Sequence, residues 1–215
     1  MRRSPAPHPA GPRRRRRRPD RGTALIETVM VATLLMSLVT ATFELGMGWR
    51  SASTNANAAR AGARVASSQG VANLADHATI LAVMSGLRST GNVSIRKIVI
   101  FRSASATGDV PNGCLTASSS TNKCNLYSAT QVASITANPS GTQANFAGTC
   151  SGTTQWDRSW CPSTRNNVQL STGGLDYVGV YVEISHPTFS NMFGTSITIK
   201  DTSVMRIEPS AGSTT

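Results

Sequence analysis

Charge is scarce in this chain, and negative charge scarcer still. Of 215 residues only ten are Asp or Glu, and all charged residues together make up 14%. Such a composition excludes a disordered polyelectrolyte, which needs dense charge and little apolar content. Histidine is rare: His8, His77 and His186 are scattered, and no C-x-x-C pair accompanies them. No metal site is therefore expected. The sequence has no G-x-S-x-G elbow and no glycine loop of the phosphate-cradling type. Neither His77 nor His186 has a Ser, Cys or carboxylate set nearby at catalytic spacing. Asp76, beside His77 in sequence, points from a different face of a helix. No enzyme activity and no cofactor are expected, and both histidines read as ordinary surface or core residues.

The net charge of +11 looks like a nucleic-acid signal until it is located. Residues 1–22 hold nine of the 21 basic residues and one acid, Asp20, which leaves twelve basic and nine acidic residues, a net of +3, for the rest. The basic character belongs to a Pro- and Arg-rich leader with six consecutive arginines, Arg13 to Arg18. Like charges repel and proline blocks regular helix, so residues 1–22 are expected to be disordered and cytoplasmic. No nucleic-acid partner is expected.

An apolar segment follows at residues 23–49. Its uncharged core, from Thr28 to Phe43, is 16 residues long, about 24 Å of helix against a hydrocarbon layer of about 30 Å. Extending it through Trp49 gives an adequate span and places one carboxylate, Glu44, near the outer interface. Glu44 reads either as a residue exposed to headgroup water or as a contact to another membrane helix. Trp49 and Arg50 suit headgroup depth, and the nine arginines ahead of the segment orient its N-terminus inward. Gly46 and Gly48 read as a flexible exit from the bilayer, or as sites of helix crossing. Beyond the anchor, the chain is expected to be exported.

Residues 50–92 read as a helical stem and a second helix. Ala52, Ala56, Ala59, Ala63 and Ala66 recur at three- and four-residue spacing, a small-residue stripe suited to close packing. Arg60 and Arg64 read as a solvated face beside lipid phosphates. A helix is predicted over 72–87, with Leu74, Ala78, Leu81 and Met84 on its apolar face and Ile80 and Leu87 beside it. Residues 93–215 read as a β-rich domain. Strands are predicted over 93–102, 177–185 and 196–207. In the second, Val178, Val180, Val182 and Ile184 share one face, and Tyr177, Tyr181 and Glu183 the other. In the third, Ile197, Ile199, Met205 and Ile207 share a face, and the polar stretch 201–203 suggests a bulge. Chain reversal falls in 186–194. The fold class is α+β: a long N-terminal transmembrane helix, a second helix and an antiparallel sheet of three or more strands.

All four cysteines, Cys114, Cys124, Cys150 and Cys161, lie in the stretch 103–172, which has only five charged residues. An even count in an exported region suits two disulfides. Three pairings are possible; local closure favours Cys114 with Cys124 and Cys150 with Cys161. This stretch is dominated by small polar residues and reads as a long insertion, tied by disulfides and supplying little core. Trp156 and Trp160 are expected near the second bridge.

The most informative constellation lies where leader meets helix. Gly22 precedes Thr23-Ala24-Leu25-Ile26-Glu27, and the apolar run follows at once. A carboxylate at the start of a membrane helix is costly and needs a reason. If the chain is cut after Gly22, the new ammonium of Thr23 lies at the same depth. Glu27 can then pair with that amine on its own chain or on a neighbouring subunit. The plainer account is an interfacial carboxylate favoured by the helix dipole.

This pattern resembles the cleavage site of type IV prepilins. With Phe43-Glu44-Leu45-Gly46 and the run from Ala58 to Ala66, it is similar to the TadE-like minor pilins, or pseudopilins, of the tight-adherence (Tad/Flp) pilus systems. The blocks 176–182 and 204–209 look like actinobacterial members of that family. The resemblance implies cleavage between Gly22 and Thr23 by a membrane-embedded prepilin peptidase. It also implies association with other pilin-like subunits, an assembly ATPase and a membrane platform complex, in building a pilus for adhesion.

Two other classes compete. A secreted protein cut by an ordinary signal peptidase would use the small-x-small site Val39-Thr40-Ala41 and begin at Thr42. A permanently anchored adhesin or ligand-binding module would keep its leader and use the disulfide-tied insertion for recognition.

Overall fold

The structure is a computed structural model that describes residues 21–88, 91, 93–116, 121, 123–146, 150, 154–168, 174–191 and 194–209. The expected leader, apart from Arg21 and Gly22, lies outside the described residues. The chain divides into two compact units after Thr40. Helix α1, Arg21–Gln69, supplies residues to both.

In the first unit, every residue from Gly22 to Val39 is exposed. The most apolar 18-residue window of the helix has a mean hydropathy of 2.0 with none of it buried. Its hydroxyls are turned inward: Thr28, Thr33, Ser37 and Thr40 each donate to a backbone carbonyl three or four residues back, at 2.7 to 2.9 Å. Side-chain polar groups are thus satisfied within the helix, as an apolar solvent requires. By length and composition this is a candidate membrane span.

The second unit, Ala41–Thr215, is built on a four-stranded antiparallel sheet in the order β2-β1-β3-β4. The strands are β1, Ser94–Ser103; β2, Cys124–Ser128; β3, Tyr177–Pro187; and β4, Ser196–Arg206. Val178, Val180, Val182 and Ile184 of β3 are fully buried with Ile98 and Ile100 of β1. Each such side chain contributes roughly 1.5–3 kcal/mol by leaving water. Against this face pack Ala58, Ala59, Ala63 and Ala66 of α1, and Ile80, Val83 and Leu87 of α2, Ala75–Leu87. Small residues let the two helices approach. A Cβ on Gly62 would come within 2.5 Å of Val83 Cγ2, and one on Gly86 within 3.0 Å of the Ala58 backbone.

Several details depart from the sequence pattern. Helix α2 starts at Ala75 rather than 72, and its fully buried face is Thr79, Ile80 and Val83. Leu74, Leu81 and Met84 are only partly buried, because α2 is rotated to meet α1 and the sheet together. Asp76 and His77 are both buried and point from different faces, Asp76 to Asn125, Tyr127 and Arg165, and His77 to Pro139 and Thr142. The β3–β4 register runs without interruption from Tyr177 opposite Arg206 to Pro187 opposite Ser196, so residues 201–203 carry no bulge. An edge strand tolerates their polarity. The irregularity falls instead in β1, between Ile95 and Lys97. Gly46 and Gly48 lie inside α1 and neither break the helix nor touch a neighbour.

The largest correction concerns residues 103–172, which supply much of the core. They form edge strand β2, helix α3 (Ala129–Ala137) and helix α4 (Pro139–Thr142). Tyr127, Val132, Ile135, Phe146 and Trp160 join the helix-side core. Helix α3 starts at a capping box, in which Ser128 and Gln131 exchange side-chain-to-backbone bonds that satisfy otherwise orphaned donors. Val110 and the first disulfide cover the opposite sheet face, with Cys114 and Cys124 packed with Val99, Phe101 and Tyr181. Both faces of the sheet are therefore buried in part. The bonds are Cys114–Cys124 and Cys150–Cys161, the pairing that local closure favours.

Candidate functional site

The described part of helix α1 starts at Arg21 and includes the Gly22–Thr23 peptide bond. Gly22 has open space around its Cα. Thr23 and Glu27, four residues apart, share one helix face. Glu27 is exposed and lines a shallow surface groove with Ala24, Thr28, Val31, Ala32 and Leu35. A carboxylate thus sits at one end of an otherwise apolar, unpartnered helix, within reach of the position an amine would occupy after cleavage.

Glu44 is placed differently from either expectation. It belongs to the second unit and is 1% exposed. Ser190, in the loop between β3 and β4, donates its hydroxyl to the carboxylate. Phe43 and Trp49 remain 64% and 77% exposed. Further along α1, Ser51 Oγ lies 3.1 Å from His186 Nδ1, and Asn55 Nδ2 donates to Val182 O at 3.2 Å. Ser67 Oγ donates to Arg206 O at 2.5 Å. These polar side chains latch the helix to β3 and the end of β4. Ser51 and His186 are both buried, and His186 Nε2 has no hydrogen-bond partner among the described residues. The pair therefore lacks both access and an orienting carboxylate, the two things a serine nucleophile needs. Arg60 and Arg64 are exposed.

A second polar cluster was not legible in the sequence. Arg165 Nη2 and Asp76 Oδ1 form an ion pair at 2.5 Å with both side chains fully buried. Asp76 Oδ2 accepts from Tyr127 OH at 2.7 Å and from Asn125 Nδ2 at 2.8 Å. Asn125 also exchanges bonds with the Trp160 backbone, and the Arg165 guanidinium stacks 4.2 Å above the Trp160 ring. This joins α2, β2 and the segment after Cys161. Asp157 lies in the same cluster, fully buried, with neither carboxylate oxygen hydrogen-bonded to another described residue. Desolvation, and then the negative charge of Asp76, push its pKa up to about 7. His77 Nε2 donates to Pro139 O at 3.0 Å and lies 3.3 Å from Thr142 Oγ1, and burial lowers its pKa. Among the described residues, no group of three or more His, Cys, Asp or Glu side chains could hold a metal ion. The cluster is sealed inside the core and presents no reactive atom to a substrate.

The fold and the exposed helix define a class: an α+β protein with one candidate membrane span near its N-terminus and a disulfide-tied second unit. Residues 22–64 match the family model of TadE-like protein. The matched segment contains Gly22, Thr23, Glu27 and Glu44, and ends before the blocks at 176–182 and 204–209. No curated protein and no solved structure matches the chain.

Proposed function

We propose that this chain is a minor pilin, or pseudopilin, of the Tad/Flp type, with a structural rather than enzymatic role in pilus assembly and adhesion. The observation that carries the proposal is that Gly22, Thr23 and Glu27 precede an apolar stretch of α1, exposed through Val39, within the TadE-like match. The helix anchors the chain in the cell membrane with its N-terminus in the cytoplasm. A prepilin peptidase cuts after Gly22. The Thr23 ammonium then pairs with Glu27 of its own or a neighbouring pilin-like subunit, and the assembly ATPase and platform complex act on the anchored subunit.

A second reading has one observation in its favour. The compact second unit begins at Ala41, so cleavage by signal peptidase after Ala41 would release that unit nearly whole. Against it stands Glu27, a charge inside what would be the apolar part of a signal peptide. N-terminal sequencing of the protein recovered from the cell envelope separates the readings. The pilin reading requires Thr23. Thr42 would support secretion, and an intact leader a plain anchor; either result rejects prepilin processing.

A further inference from the structure

We infer that the second unit is itself seated on the bilayer, with Phe189 of the β3–β4 loop as a second membrane contact. The inference rests on the anchored reading above and adds to it a surface and an occupant: phospholipid, at the junction of acyl chains and headgroups.

The argument starts from length. The uncharged run from Thr28 to Phe43 provides about 24 Å of helix, about 6 Å less than the hydrocarbon layer. Extending the run past Phe43 to Trp49 completes the span and places Glu44 near the outer interface. An ionised carboxylate among acyl chains is costly unless something covers it. The structure supplies that cover. Glu44 is 1% exposed, and the residue that donates to it is Ser190 of the β3–β4 loop. A loop that covers residue 44 shares its depth.

The loop and its surroundings have the chemistry for that depth. Residues 187–199 contain no charged side chain. Phe189, next to Ser190, is 80% exposed. Leu45, Gly48, Trp49 and Ala52 of α1, together with Ile197 and Ile199 of β4, line a groove of about 600 Å³ whose only charged lining residue is the covered Glu44. Charge resumes on the two elements at Arg50 and Lys200, both exposed, as cations do at phosphate level. An exposed Phe and Trp flanking an apolar groove, with cations just beyond, match the layered polarity of a membrane interface. Strand β4 is an edge strand. Unpaired backbone groups are not tolerated in hydrocarbon. Phe189 and the groove therefore meet acyl chains, while the free strand edge stays in the hydrated headgroup layer.

The test uses the full chain reconstituted in vesicles of phosphatidylethanolamine and phosphatidylglycerol. The photoreactive residue p-benzoylphenylalanine replaces Phe189 in one sample, Leu34 in the apolar helix in a second, and Ser134 on the exposed side of α3 in a third. Non-reducing electrophoresis checks that both disulfides are intact in each. The expected result is lipid adducts at position 189 in a yield comparable to those at 34, and none at 134. Lipid adducts at 34 without any at 189 would overturn the inference and leave the anchor standing. So would adducts at 189 to another protein chain in place of lipid. Absence of lipid adducts at 34 would reject the anchor, and the inference with it.

Discussion

At the scale of single residues, three carboxylates have three different environments, and each dictates a different behaviour. Glu27 is exposed on an apolar helix, Glu44 is covered by a serine, and Asp157 is buried with no hydrogen bond to another described residue. Replacing Glu27 with Gln removes a charge from a membrane segment, so insertion should persist. Cleavage after Gly22 should also persist, because the leader and the small residue are unchanged. Association with pilin-like subunits should be lost, since the Thr23 ammonium is left unpaired in lipid. Co-purification of subunits and counts of assembled pili check this; normal assembly by a fully processed Glu27→Gln chain would reduce Glu27 to a tolerated interfacial charge. Asp157 makes a prediction about pH. Its pKa is about 7 in the folded chain and 3.8 ordinarily. Between these values the folded state binds more protons than the unfolded one, so stability falls as pH rises through that window, by at most about 1.4 kcal/mol per pH unit. Above about pH 7 the loss is complete. Asp157→Asn should flatten this slope and raise stability at neutral pH, as read from denaturant midpoints at pH 5 and pH 7.5. An unchanged slope would show that Asp157 ionises as freely as it does in the unfolded chain.

At the scale of elements, what the sequence announced depended on whether a pattern was local. The alternation of β3 was plain because every second residue from Val178 to Ile184 is β-branched, and the structure buries that face completely. Helix α1 was plain from its apolar run and the alanine spacing after it. The rotation of α2 was not, since Leu81 and Met84 outrank Thr79 in hydrophobicity yet lie outside it. The close approach of α1 and α2 decided which face went inward. That approach has its own test. Gly62 lies against Val83 and Val180, with a Cβ position 2.5 Å from Val83 Cγ2. Gly62→Leu should force the helices apart and destabilise the chain by roughly 1–3 kcal/mol or more. The exposed Gly46→Leu should be close to neutral, because nothing lies within 4 Å of its Cβ position. Thermal unfolding of both variants in the same detergent checks the contrast. Strand β2 and helix α3 were missed for a different reason. Their apolar residues, Leu126, Tyr127, Val132 and Ile135, are sparse among serines and threonines. The one available signal was Ser128 followed three residues later by Gln131, a capping box that marks a helix start.

At the scale of the whole molecule, the stretch 103–172 is a clamp as well as a cover. Its disulfides close loops with sequence separations of 10 and 11. Each is expected to contribute roughly 3 kcal/mol by restricting the unfolded chain. Mass mapping without reduction should find both bridges, and reduction should lower the unfolding temperature. The larger effect is expected from Cys114–Cys124, whose cysteines are fully buried with Val99, Phe101 and Tyr181. Four free thiols in protein taken from the cell envelope would reject this account. The same stretch also carries Arg165, which reaches across 89 residues of sequence to Asp76.

The sequence by itself determined the order of events along the chain: basic leader, a Gly22–Thr23 junction with Glu27 close behind, an apolar helix, a second helix, then antiparallel strands. Each is written in a window of a few residues, as charge, period or spacing, and local rules suffice to read it. Only the tertiary structure decided that Glu44 is covered by Ser190, that Asp76 meets Arg165, and that a serine-rich insertion carries Tyr127, Phe146 and Trp160 into the core. Those outcomes depend on partners 35 to 146 residues apart. A buried polar group is stable only when its partner arrives at hydrogen-bond distance, and no local pattern specifies that arrival.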